Sequence, residues 1–148
     1  MNFKLDHIAI QTDNFDNTVQ WYKDFFSCQA TWDRTWEQLP QGIQARMPLA
    51  TQLVELQVDT VRFHIFDIKE NYENASTNVL QYQHFGIVVD TREELDFLKD
   101  HWIQLYQSGK YQFKCATMPT DIIPSPGGLV CFYAFDPNGL EFEVMHFS

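Results

Sequence analysis

The stretch Leu5-Asp6-His7-Ile8-Ala9-Ile10 recurs as Tyr82-Gln83-His84-Phe85-Gly86-Ile87 at an offset of 77 residues, histidine on histidine. The first copy alternates with period two, as a strand with one buried face does, so Leu5, His7 and Ala9 share a side. Asp13 and Asp90 then fall at the same place ahead of a helix. In the first half Asp13 or Asn14 offers the N-cap, and Phe15, Val19, Tyr22 and Phe26 recur at helical spacing. In the second half Thr91-Arg92-Glu93-Glu94 is a capping box, followed by the stripe Leu95, Leu98, Trp102 and Leu105 and closed by Gly109.

Three more strands are expected behind each helix, at 30–33, 52–58 and 61–68, and at 113–117, 129–135 and 140–147. Residues 34–50 read as a long loop with one helical turn, and 119–128 as a loop rich in Pro and Gly. The order strand–helix–strand–strand–strand therefore occurs twice in one domain, 1–148. Module 1 covers about 1–69, the polar connector about 69–79 and module 2 about 80–148.

Composition narrows the function classes. A formal charge of −10 excludes non-specific binding to nucleic acid phosphates. An aromatic share of 16% calls for a well-filled core or an aromatic-lined cavity. Three cysteines without a C-x-x-C spacing indicate a reducing compartment. The first residues lack the features of a signal peptide, and the longest apolar run, 129–135, is too short to span a bilayer. The expectation is a cytoplasmic protein without membrane or nucleic acid partners. Exposed sheet edges make a homodimer the expected assembly.

The C-terminal segment raises the chemical question. Asp136-Pro137-Asn138-Gly139 is a turn, and the strand after it places Glu141, Glu143, Met145 and Phe147 on one face. A carboxylate between Phe142 and Val144 is costly to bury unless a cation meets it. At an offset of 79, His64 lies over Glu143. His7, His64, His84 and Glu143 thus hold equivalent, interior-facing strand positions, and two halves paired about a pseudo-twofold axis would bring all four together. Imidazole and carboxylate are the donor set of Fe(II), Mn(II), Zn(II) and Ni(II). A lone strand histidine is ordinarily a satisfied core or surface residue; four donors at repeat-equivalent positions outweigh that reading. His101, between Asp100 and Trp102, and His146, of opposite parity to Glu143, keep it. Cys115 and Cys131 read as small core residues. Neither a Ser/His/Asp motif nor a glycine-rich phosphate loop is present.

Leu5-Asp6-His7-Ile8-Ala9-Ile10, Trp21-Tyr22-Lys23-Asp24-Phe25-Phe26, Gln83-His84-Phe85-Gly86-Ile87 and Asp136-Pro137-Asn138-Gly139 with Glu143 together resemble the vicinal oxygen chelate superfamily. That group includes glyoxalase I, methylmalonyl-CoA epimerase, extradiol dioxygenases, fosfomycin resistance enzymes and bleomycin-binding proteins. The resemblance implies an α+β fold of two tandem βαβββ modules, their curved mixed sheet surrounding a metal-binding cleft. It also implies His7, His84 and Glu143 as ligands of one divalent ion (Fe, Zn, Ni or Mn), with His64 at the fourth position. Glyoxalase I enzymes usually carry Glu where His64 stands, and epimerases often carry Gln.

The first expectation is a metal-dependent enzyme acting on a small substrate that chelates through vicinal oxygens, with lyase or isomerase chemistry ahead of Fe(II) ring cleavage. Glu143 would anchor the metal. Glu141 would be the general base, or else pair with Arg62, its neighbour by the same offset of 79. Arg62, Trp32, Trp36, Phe66 and Tyr133 are expected around the substrate. The alternative is a non-catalytic sequestration protein of the bleomycin resistance type, which acidity and aromatics would suit through cation–π contact.

Overall fold

Aromatic packing explains why the first helix buries the face it does. The computed structural model describes residues 5–46, 48–68, 84–124 and 126–147. Helix α1 (Phe15–Phe26) buries Thr18, Trp21, Tyr22, Phe25 and Phe26, which recur at helical spacing. Phe15 and Val19, expected in that stripe, are only half-buried, because the face turns toward Trp21 and Phe25 instead. Tyr22 and Phe26 meet Phe63 with ring centroids at 4.9 and 5.3 Å. Each such buried ring contributes on the order of 2 kcal/mol. Ser27, in the left-handed conformation at φ 56°, ends the helix.

The chain divides into two units, Met1–Thr77 and Asn78–Ser148. In the first, β1 (Ile8–Thr12), β2 (Gln29–Thr35), β3 (Ala50–Val58) and β4 (Val61–Ile68) form one sheet in the order β1-β4-β3-β2. β1 is parallel to β4, and the other neighbours are antiparallel. Between β2 and β3 the expected loop is more ordered than its composition suggested. A 3-10 turn at Trp36–Gln38, capped by Thr35, leads to the short helix α2 (Gln41–Arg46).

The second unit holds β5 (His84–Val88), α3 (Arg92–Gln107), β6 (Ile123–Pro124), β7 (Leu129–Phe135) and β8 (Glu141–Phe147), with strand order β5-β8-β7-β6. Order and strand directions match those of the first unit. The fold is α+β, two tandem βαβββ modules. The expected connector at 69–79 lies outside the described residues.

Three boundaries differ from expectation. β1 starts at Ile8, where pairing with Phe63 of β4 begins, so His7 precedes the strand. No strand forms at 113–117: Phe113 packs on Trp102 and Tyr106, and the backbone N–H of Lys114 donates to the Pro137 carbonyl. The third strand is instead the two-residue β6, inside the expected loop at 119–128. Pro124 is tolerated there because β6 is an edge strand.

The helix side of each sheet is the core. Phe63, Ile65, Val54 and Leu56 are buried on it in the first unit, and Phe85, Phe142, Val144, Phe132 and Ala134 in the second. α3 buries Leu95 and Trp102, and the Trp102 indole N–H donates to the Phe135 carbonyl at 2.9 Å. Leu98 and Leu105, expected in the same stripe, are half-buried.

Candidate metal centre

Strand parity separates the expected donors from this core. Ala9 pairs with His64 and Gly86 with Glu143, so the offsets of 77 and 79 read from the residues are also those of the two ladders. His64 and Glu143 therefore lie on the face turned away from the helix in their units.

In the first unit this open face has a polar and an apolar part. His7 stacks on His64, with centroids 3.7 Å apart and planes 15° from parallel. Asp6 lies 2.8 Å from the Nδ1 of His7. Glu55, directly opposite His64 on β3, lies 2.8 Å from its Nε2 and is only 6% exposed. The Thr31 hydroxyl donates to the other oxygen of Glu55. Arg62 reaches both carboxylates, donating to Asp6 and, at 3.4 Å, to Glu55. Burial pulls the Glu55 carboxyl up, but the hydrogen bonds from Thr31 and His64, with the nearby positive charge, outweigh it and leave it below the usual range. Burial pushes His64 below the ordinary imidazole value, and the hydrogen bond to Glu55 opposes that only in part. Beyond His64 the face becomes apolar: Leu39, Ala50, Leu53, Phe66 and Ile68 cluster, with Trp32 and Trp36 half-buried against them. Trp32 stands edge-on to His64 at 5.3 Å.

In the second unit the Nε2 of His84 lies 3.6 Å from a carboxylate oxygen of Glu143, which is 8% exposed. Tyr133 is opposite Glu143 on β7, and its ring meets His84 edge-on at 5.4 Å. Its phenol is pushed up to about 12, first by its hydrogen bond to Glu143 and then by burial, so it stays protonated at neutral pH. Burial, reinforced by Glu143, raises the Cys131 thiol to about 11. Glu141 pairs with His84 on the ladder and has an oxygen 4.0 Å from its Nδ1, too far for a hydrogen bond. That Nδ1 is buried and has no hydrogen-bond partner among the described residues.

The four expected donors are thus gathered as two pairs, His7 with His64 and His84 with Glu143. Among the described residues no group of three or more His, Cys, Asp or Glu forms a metal set. The second pair suits a cation chemically. A separation of 3.6 Å exceeds a hydrogen bond, whereas two ligands about 2.1 Å from a shared tetrahedral ion lie roughly 3.4 Å apart. Arg62, the alternative partner proposed for Glu141, has Asp6 and Glu55 as its described partners. His101 stacks on Phe97, and His146 lies 3.3 Å from the Val89 carbonyl, as expected of histidines outside the site. Glu55 was missed by the sequence reading. The rule that singled out Glu143, a carboxylate between two buried apolar residues of a strand, applies equally to Val54-Glu55-Leu56.

No protein-family model and no curated protein matches the chain. Solved structures do match. Lactoylglutathione lyase from Agrobacterium tumefaciens aligns over 97% of this chain and 92% of its own, with 19% identity and a TM-score of 0.61. The fosfomycin resistance protein FosX from Listeria monocytogenes aligns over 97% and 93%, with 14% identity and a TM-score of 0.63. A glyoxylase/bleomycin resistance protein/dioxygenase domain from Frankia sp. EAN1pec aligns over 100% and 94%, with 13% identity and a TM-score of 0.66. Strand order, paired ladders and these likenesses agree: the chain has the fold of the vicinal oxygen chelate superfamily, the group its sequence resembles.

Proposed function

We propose that the chain is a divalent-metal-dependent enzyme acting on a small substrate that chelates through two neighbouring oxygens, with lyase or isomerase chemistry favoured. The observation that carries this is the donor pair of the second unit: a buried His84 nitrogen without a hydrogen-bond partner among the described residues, and a buried carboxylate 3.6 Å from the other nitrogen. His7, His84 and Glu143 would hold the ion, with His64 as a fourth donor. When bound, the metal supplies Lewis-acid polarisation of a chelated oxygen. Tyr133, protonated at neutral pH, orients Glu143 through its hydroxyl. Glu141, half-buried beside His84, would take a proton from substrate. Trp32, Trp36 and Phe66 form an apolar surface that keeps water from a bound substrate. A homodimer in the cytoplasm is part of the same proposal.

Elemental analysis of the protein after reconstitution tests it. Stoichiometric divalent metal is expected in the wild type, with loss in His84→Ala and Glu143→Ala. A metal-free wild type, or a His84→Ala variant with full occupancy, would count decisively against it. Turnover of enediolate-forming substrates against catechols then separates the lyase or isomerase reading from ring cleavage. A sequestration role is the second reading, favoured by the half-buried Trp32 and Trp36 on their apolar cluster. Undiminished binding of a cationic aromatic ligand in Glu143→Ala would support it.

A further inference from the structure

We infer that Glu55 is a positioning residue that sets which nitrogen His64 offers, and that Asp6 sets the opposite nitrogen on His7. This inference rests on the metal reading above, and it concerns only residues of the first unit. An ionised carboxylate accepts hydrogen bonds and donates none. Glu55 lies 2.8 Å from the Nε2 of His64, so that nitrogen carries the proton and the lone pair is on Nδ1. Asp6 lies 2.8 Å from the Nδ1 of His7, so His7 carries its proton there and offers Nε2. The two stacked rings are therefore set in opposite tautomers.

The carboxylates are themselves held. The Thr31 hydroxyl donates to the Oε1 of Glu55. Arg62 sends Nη1 to Oε2 of Glu55 at 3.4 Å, Nη2 to the Asp6 carboxylate and Nε to the Asp6 carbonyl at 3.1 Å. One guanidinium thus ties together the groups that orient both imidazoles. Among the described residues of the second unit no such device is present. Tyr133 occupies the cross-strand place of Glu55, and the Nδ1 of His84 has no hydrogen-bond partner among the described residues. Outer-shell carboxylates of this kind fix ring orientation and raise ligand basicity, and their loss typically costs roughly 10- to 100-fold in metal affinity.

The test combines two readouts. Nitrogen-15 NMR of the metal-free protein, about two pH units above the ordinary imidazole value of 6.5, should show His64 protonated on Nε2 and His7 on Nδ1. In Glu55→Ala the His64 tautomers should mix. Zinc titration against a chromophoric chelator should show affinity roughly 10- to 100-fold lower in Glu55→Ala, and near the wild-type value in Glu55→Gln, whose amide oxygen still accepts from His64. His64 protonated on Nδ1 in the wild type would overturn the inference, as would wild-type affinity in Glu55→Ala. Equal loss in Glu55→Gln and Glu55→Ala would also overturn it, since that pattern marks a direct ligand. A wild type that takes up no zinc sinks the metal reading, and the tautomers then decide this inference alone.

Discussion

Glu143 and Glu55 pose the same physical problem and meet it differently. Both are buried carboxylates on strands whose neighbouring side chains are apolar. Glu55 is satisfied by Thr31, His64 and Arg62, and its carboxyl lies below the usual range. Glu143 has a phenol and an imidazole nearby, with no Lys or Arg ion pair among the described residues, which leaves room for a metal. Cys28 shows burial acting alone. It is 1% exposed, and its thiol is pushed up to about 12. The native thiol therefore stays protonated where the unfolded one ionises. Its stability contribution is complete below the unfolded value of 9.0 and declines as pH rises toward about 12. Iodoacetamide at pH 8 should label Cys115 readily and Cys28 only through unfolding. The fall in denaturant midpoint above pH 9 should be shallower in Cys28→Ala.

At the scale of elements, local chemistry explains most boundaries. Thr91 and Glu94 form the expected capping box, with Glu94 N–H donating to the Thr91 hydroxyl at 3.2 Å and Thr91 N–H to the Glu94 carboxylate at 2.9 Å. Thr91→Ala should lower stability by about 1 kcal/mol, read as a shifted urea midpoint at unchanged slope, and leave metal content intact. The C-terminal turn closes in the same local way, with Asp136 accepting from the N–H groups of Asn138 and Leu140 and Gly139 at φ 83°. The strand expected at 113–117 failed because its alternation resembles that of a segment pinned by one aromatic and one backbone bond. Periodicity reports which side chains are buried in turn; it does not report whether a neighbouring strand is there to pair.

For the whole molecule, metal binding should couple to folding. An ion that binds only the native chain, present at 100 times its dissociation constant, adds about 2.7 kcal/mol. For a domain of this size that is a rise in Tm of roughly 5–10 °C. Differential scanning fluorimetry should show the rise with a divalent ion, its reversal by chelator and its absence in Glu143→Ala. An equal rise in Glu143→Ala would assign the effect to other sites. The described residues include no helix long and apolar enough to cross a membrane.

The residues by themselves determined the repeat, the helix caps, seven of the eight strands to within a few positions, and the four donors at equivalent places. Each of these follows from spacing along the chain: period two for strands, the three-to-four spacing of helices, and the offsets of 77 and 79 that the ladders share. Only the tertiary structure decided that Glu55 faces His64, that Arg62 joins Asp6 to Glu55, and that Tyr133 faces Glu143. Those partners lie on different segments of the chain, and the ladder registers that face Glu55 with His64 and Tyr133 with Glu143 are set by pairing between strands. A shift of one residue would turn every one of these side chains to the opposite face.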